Sequence, residues 1–469
     1  MRKSAIAAAA LLAACNTKPP EVLPPPFGPD GPQDPRLFFP TGLATAPDGT
    51  LLVANGNFNH AYDSGTVLTF SHSFLDSLFN PPAGPPLDCD VPEPPAGCFR
   101  PVPPGDVKGA VLIGSYAGPL ALSEDGTLAL SGSRDSGNVN AVQVDPGGLL
   151  HCPPGSGNDA TKDCRKGVRK LTANGVDGPY AIVPGNAVVQ SAGGPARSDV
   201  FFVSSVIPHI DQISSGVLYT STAVAAIDTK FPWGVLFAMR AGSRFVGGGS
   251  GVGPMVFDSV RRQLYLGGCY FRSAAFGAGE PGSALCNGVT TNYLRILNVD
   301  VADAADPVLF DLRTDVLSID TVQFLLGDPD PGTGAPTALW ATMRNPDTLV
   351  RIELPAQPSV APRVRKVIPM PAGPADMVRI ARPGASDLIA VVTEKTNGVA
   401  IVDTATGQVV SEVGRLGNSP FLIREVSCPV AGSACLAVSV FAECRVALIE
   451  VPKSNPSGAK LRALIGSCT

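Results

Sequence analysis

The chain of 469 residues has little of what membrane crossing, nucleic-acid binding or metal chemistry requires. Its N-terminal apolar run, Ala5 to Ala14, is ten residues long, half of the roughly 20 that a membrane-spanning helix needs. Acidic residues outnumber basic ones, 40 to 35, and no basic stretch exists to neutralise phosphates, which excludes a nucleic-acid partner. The four histidines are scattered and no C-x₂-C pair occurs, so the spacing of a zinc site is missing. Neither a G-x-S-x-G elbow, an H-E-x-x-H motif nor a phosphate-binding loop stands in a suitable context. The glycine run Gly247 to Gly253 lacks a following helix pattern and leads into a Gly-Pro strand start, so it reads as a turn. Asp328 and Asp330 resemble part of a calcium loop, but the flanking prolines and the missing bidentate Glu point to a hairpin turn. No catalytic residue, cofactor or metal is predicted.

What is present starts at the N terminus. Arg2 and Lys3 precede the short apolar run, the layout of a secretory signal. Leu12-Ala13-Ala14-Cys15 then resembles the lipobox of bacterial lipoproteins. That resemblance implies cleavage after residue 14 and acylation of Cys15; an ordinary signal peptide with a chance cysteine is the competing reading. Two or three acyl chains, at about 0.8 kcal/mol per buried CH₂, anchor a protein firmly. Asn16 is not the aspartate that favours inner-membrane retention in enteric bacteria, so the expected address is the outer membrane. Losing residues 1–14 removes Arg2 and Lys3 and takes the net charge from −5 to −7. Residues 15–36 hold eight prolines and read as a semi-extended tether, at about 3.1 Å per residue where polyproline-like.

Of the eleven cysteines, ten remain once Cys15 is set aside, and they fall into sequence-local pairs. Cys89 pairs with Cys98, Cys152 with Cys164, and Cys269 with Cys286. Cys428, Cys435, Cys444 and Cys468 allow three connectivities, of which 428–435 with 444–468 is preferred. Five disulfides fit an oxidising compartment such as the periplasm or cell surface.

Glycine (51) and proline (47) make up about a fifth of the chain, which suits a turn-dense β architecture. From Phe38 onward one pattern recurs: a Gly/Pro turn, then short apolar strands separated by turns and polar loops. The starts are Pro40–Ala44, Gly118–Leu122, Gly178–Ile182, Gly253–Phe257, Asp320–Phe324, Gly373–Met377 and Ser419–Ile423. Three further strands follow each start. In the second repeat the fourth is expected at Val168–Thr172. One four-stranded sheet cannot bury both faces, whereas sheets packed face to face around an axis can. The fold class is therefore all-β, a seven-bladed β-propeller of four-stranded antiparallel blades over residues 37–469. Six or eight blades, or two stacked sandwiches, are the alternatives.

The segment Ile401-Val402-Asp403-Thr404-Ala405-Thr406-Gly407-Gln408-Val409-Val410, with Gly417-Asn418-Ser419-Pro420 returning, resembles the YVTN-type propeller repeat. Pro47–Asn55 and the turn Ser123–Thr127 resemble the same family. The resemblance is clear in the first, second, sixth and seventh copies. It implies the fold and says little of function, since such propellers serve binding, scaffolding and some enzymology.

In a blade the second-to-third and fourth-to-first loops meet on one face. Charged and aromatic groups gather there: His60, Tyr62 and Asp63; Arg134 and Asp135; His209; Arg344; Glu394 and Lys395. This is the default ligand face. The opposite face is expected to carry two long insertions, His72–Pro104 and Pro146–Lys166, each closed by a disulfide. The leading expectation is a monomeric, membrane-tethered module in the cell envelope that binds a protein, peptide or envelope glycan. The alternative is a propeller enzyme of lactonase or dehydrogenase type, which needs His60, Asp63, Arg134, His209, Arg344 and Glu394 to cluster at the channel mouth.

Overall fold

Seven sheets surround one axis, each with a core of antiparallel strands drawn from a contiguous stretch of chain. The computed structural model describes residues 21–468 apart from 30, 32–34, 83, 167–170, 172–175, 186–199, 208, 215–216, 231–234, 242–251, 272–289, 300–307, 314–321, 331, 345 and 358–359. The innermost strands, one per blade, are Pro40–Thr45, Ala117–Leu122, Asp177–Gly185, Val252–Asp258, Val322–Pro329, Pro374–Ile380 and Pro420–Val426. All seven predicted starts therefore open a blade.

Every innermost strand carries a register shift close to its start, for example between Pro179 and Ile182, Pro374 and Met377, and Pro420 and Ile423. Proline offers no amide to the ladder, so the sheet bulges at these sites. A bulge re-aims the residues within it, here Tyr180, Asp376 and Phe421. The recurring Gly/Pro signature is thus the physical device that shapes the mouth of the axial channel.

A layer of buried apolar side chains fills each blade–blade junction. Strand alternation supplies it, with successive side chains pointing to opposite neighbours. In the sixth blade, Ile401 packs toward the seventh while Val402 packs toward the fifth. Close approach is also needed: a Cβ on Gly132 of the second blade would lie 2.5 Å from the Pro179 carbonyl of the third.

The ring closes without a blade shared between the chain ends. Leu43, Leu51 and Val53 of the first blade pack with Leu422, Ala437 and Leu448 of the seventh. The first insertion reinforces this seam. Its helix α1 (His72–Phe79), capped by the Ser71 hydroxyl, buries Phe74, Leu75 and Phe79 in the same layer. Further on, Phe99–Arg100 pairs in parallel with Leu464–Ile465 and becomes a fifth strand on the seventh blade. Asp90 then accepts from the Gly414 amide of the sixth blade at 3.0 Å. The insertion is a strap across two junctions.

The second insertion differs from expectation. The fourth strand of the second blade is Leu150–His151, in place of Val168–Thr172, most of which lies outside the described residues. The cysteine-closed segment after it turns back to the first blade, where the Leu112 amide donates to the Lys162 carbonyl and Cys164 donates to the Leu112 carbonyl. Both insertions thus cover the exposed outer edge of the preceding blade, which blunts edge-to-edge association.

Disulfides join Cys89 to Cys98, Cys152 to Cys164, Cys428 to Cys435 and Cys444 to Cys468. The preferred connectivity among the last four holds. The Cys269–Cys286 pair lies outside what the described residues settle, although the Cys269 backbone pairs with Asn292. The Asp-centred turns also form as read: Asp48 accepts from the Thr50 amide, Asp125 from Thr127, and Asp330 from Gly332 and Thr333.

Candidate ligand-binding face

Aromatic rings form an arc over the first two blades and the last, on the face that carries the second-to-third-strand loops. Phe39 meets Phe441 with ring centres 5.2 Å apart, Phe441 meets Phe58 at 5.0 Å, and Phe58 meets Tyr116 at 4.7 Å. His60 continues the series against Tyr116 at 4.8 Å. The Arg134 guanidinium lies 5.2 Å from the Phe58 ring centre and 5.6 Å from that of Tyr180. Its Nε is buried with no hydrogen-bond partner, and no carboxylate pairs with it among the described residues. The cation is held by ring faces instead, an arrangement worth about 0.5–2 kcal/mol per contact depending on desolvation.

Backbone conformation marks the same place. Phe39, Asn57, His60 and Tyr116 all have left-handed φ, between 49° and 51°. For bulky residues this region is sparsely populated and costs of order 1–3 kcal/mol, and such residues concentrate at binding sites. At the position of Phe39, directly before the first proline of an innermost strand, the sixth blade has Gly373 and the seventh has Ser419, with φ of 75° and 59°. An aromatic ring there is a departure from the repeat.

Below the arc the channel mouth is polar. Burial pushes the Tyr180 phenol up to about 12, against the opposing fields of Arg134 and Arg344 and with that of Asp376. Asp376, only 5% exposed, accepts from the Ile423 amide at 3.0 Å and pairs with the Arg424 guanidinium. Phe324 and Phe421 sit edge to face at 5.8 Å.

Each sequence candidate has a place. Arg344 and Glu394 meet in an ion pair of 2.6 Å across the fifth and sixth blades. Lys395 is exposed, and its amide donates to the Ala372 carbonyl. Burial raises the Asp135 carboxyl, opposed by the Ser136 hydrogen bonds and by nearby His60. Tyr62 packs on Phe38 at 5.0 Å while Asn57 brackets its backbone, so it braces the loop. Asp63 binds Val22 of the N-terminal segment. His209 was expected in a loop; it instead opens a further strand, His209–Ser214, paired with Val217–Asp228, and its side chain lies outside the described residues. His60, Arg134 and Asp135 are therefore drawn together, with Arg344 and Glu394 forming a second group. Sequence reasoning missed Phe39, Phe58, Tyr116, Tyr180 and Phe441; an aligned comparison of the repeats would have shown aromatic residues where sister blades carry Gly, Ser or Glu.

Among the described residues no cluster of three His, Cys, Asp or Glu side chains could hold a metal ion, and no helix is long and apolar enough to cross a membrane. On the opposite face a cleft of about 200 Å³ between the fifth and sixth blades is lined by Trp340, Arg351, Lys366, Arg379, Asp328 and Asp387. Its charges are mostly paired, Arg351 with Asp328 at 3.0 Å and Arg379 with Asp387.

No protein-family model and no curated protein matches the chain. Among solved structures it is similar to Kuenenia stuttgartiensis hydrazine synthase, at 14% identity and a TM-score of 0.50 over 88% of this chain and 96% of that one. It is also similar to the Myceliophthora thermophila Swd1 β-propeller domain, at 10% identity and a TM-score of 0.49 over 88% and 97% of the two chains. At 14% identity the first likeness shows the fold alone and nothing finer.

Proposed function

We propose that this is a lipid-anchored propeller of the cell envelope, acylated at Cys15, that captures an acidic protein, peptide or envelope glycan on its loop face. One observation carries the reading: the Arg134 guanidinium, without a carboxylate partner among the described residues, is framed by Phe58 and Tyr180. A fixed cation between ring faces suits a carboxylate or sulfate attached to a flat sugar or side chain, because the rings supply apolar contact while the guanidinium supplies charge. The lipobox and the disulfides support the extracytoplasmic address. Arg344 and Glu394 neutralise each other, which suits a brace at the rim better than an acid/base pair.

The test is an array of acidic and neutral glycans and peptides probed with the soluble body, wild type against Arg134→Ala and Phe58→Ala. Binding to acidic members that falls at least tenfold in both variants is expected. Equal binding by Arg134→Ala, or binding confined to neutral members, sinks the reading.

A further inference from the structure

We propose that the loop face is the side of the molecule turned toward the membrane, and that its aromatic arc rests at a zwitterionic phospholipid surface. The inference depends on the acylated Cys15 of the proposed function and adds an orientation and a contact to it.

The N-terminal segment does not hang free of the body. The Val22 amide donates to Asp63 Oδ2 at 2.5 Å, and the Asp63 amide donates back to the Val22 carbonyl at 2.9 Å. The Glu21 carboxylate pairs with Arg165, and Pro24 and Pro25 are buried. Asp63 belongs to the same second-to-third-strand loop as His60 and Tyr62. Arg165 directly follows Cys164, which is bound at Leu112, next to the loop-face end of the strand Val107–Ile113. Both clamps therefore sit at the rim of one face, and the chain departs from that rim.

Reach then decides the orientation. Cys15 lies six residue steps before Glu21, and an extended chain spans at most about 3.6 Å per step, or about 22 Å in all. An unclamped tether running to Arg36 would reach more than three times as far. Clamping converts a long spacer into a short leash that begins on the loop face, so acyl chains in a bilayer hold that face near the headgroups and turn the opposite face away.

The surface that results fits such a contact. Phe39, Phe58, Tyr116 and Phe441 are half-buried, His60 is exposed beside them, and Val22 at the clamp is 52% exposed. Aromatic rings with polar edges are the side chains that settle at membrane–water interfaces. The loops mix Arg134 and Lys395 with Asp135 and Glu394, and the mature chain is acidic overall, which selects a zwitterionic surface over an anionic one. Ligands for Arg134 would then arrive along the bilayer.

The experiment uses the full acylated chain in vesicles of phosphatidylcholine and phosphatidylethanolamine, with the photoreactive residue p-benzoylphenylalanine placed at His60 or at Val360. Val360 is 39% exposed and lies between the third and fourth strands of the fifth blade, on the opposite face. Phospholipid adducts at position 60 at least tenfold above those at 360 are expected. Adding Asp63→Ala should lower the position-60 adducts several-fold while flotation with the vesicles is unchanged. If the chain fails to float, or floats equally well as Cys15→Ala, the anchoring falls and the orientation with it. If it floats through Cys15 but both positions label alike, or 360 labels more, the orientation alone is overturned.

Discussion

Phe99 pairs in parallel register with Leu464, so an insertion from the first blade supplies the outermost strand of the last. This replaces strand exchange between the chain ends as the reinforcement of the seam. The strap is fastened further where the Cys89 amide donates to the Leu461 carbonyl at 2.8 Å and Arg462 donates to the Leu87 carbonyl at 2.7 Å.

The disulfide within the strap should therefore contribute to global stability. Replacing Cys89 and Cys98 with serine opens a loop of sequence separation 9 and should cost about 2–3 kcal/mol on the loop-entropy model. Urea unfolding of the paired variant would show a lower midpoint. An unchanged midpoint would mean that the seam holds without the strap.

The helix of the strap makes a second prediction. Leu75 is fully buried against the seam, and Leu75→Ala should cost about 2–5 kcal/mol through lost burial and the cavity left behind. A loss under about 1 kcal/mol would show that the helix only decorates the outer edge.

Asp403 predicts a pH dependence. Burial alone would raise its carboxyl, but the amides of Thr406 and Ala405, the Ser386 hydroxyl and Arg382 together outweigh that and lower it to about 2. Because the folded value lies below the unfolded one, the stabilisation is present above about pH 4 and is lost as pH falls through about 2. Asp403→Asn should consequently destabilise most at pH 5 and least near pH 2. A penalty independent of pH across that range would rule out the charge as its source.

Phe39 separates binding from stability. Phe39→Gly relieves a left-handed aromatic residue but removes its contact with Phe441, so the net change should stay within about 1 kcal/mol. Capture of the acidic ligand should nevertheless fall about tenfold or more on the array. Retained binding would confine the arc to a structural role.

The strands were legible because their signal is local. Leu388–Thr393 and Gly398–Asp403 are two of the three further strands expected after the sixth start, since a run of β-branched residues ended by Asn-Gly or an Asp turn needs no distant partner to be recognised. The short fourth strand Leu150–His151 was not legible, because two residues carry no periodicity and the pairing depends on Gln143 and Val144. His209 was misplaced for a related reason: an added hairpin is defined by its partner strand. At the candidate face, the aromatic rings among the polar loop residues were overlooked.

By itself the sequence determined the repeat, its Gly/Pro strand starts, the Asp-centred turns and four local cysteine pairs, because each depends on residues close together along the chain. Only the tertiary structure decided that Phe39 and Phe441, from opposite ends of the chain, meet with tilted rings, that Arg134 sits between Phe58 and Tyr180, and that Val22 is clamped by Asp63. The first contact exists because the seventh blade must pack its apolar face on the first, and the others because packing brings together side chains that no periodicity along the chain relates.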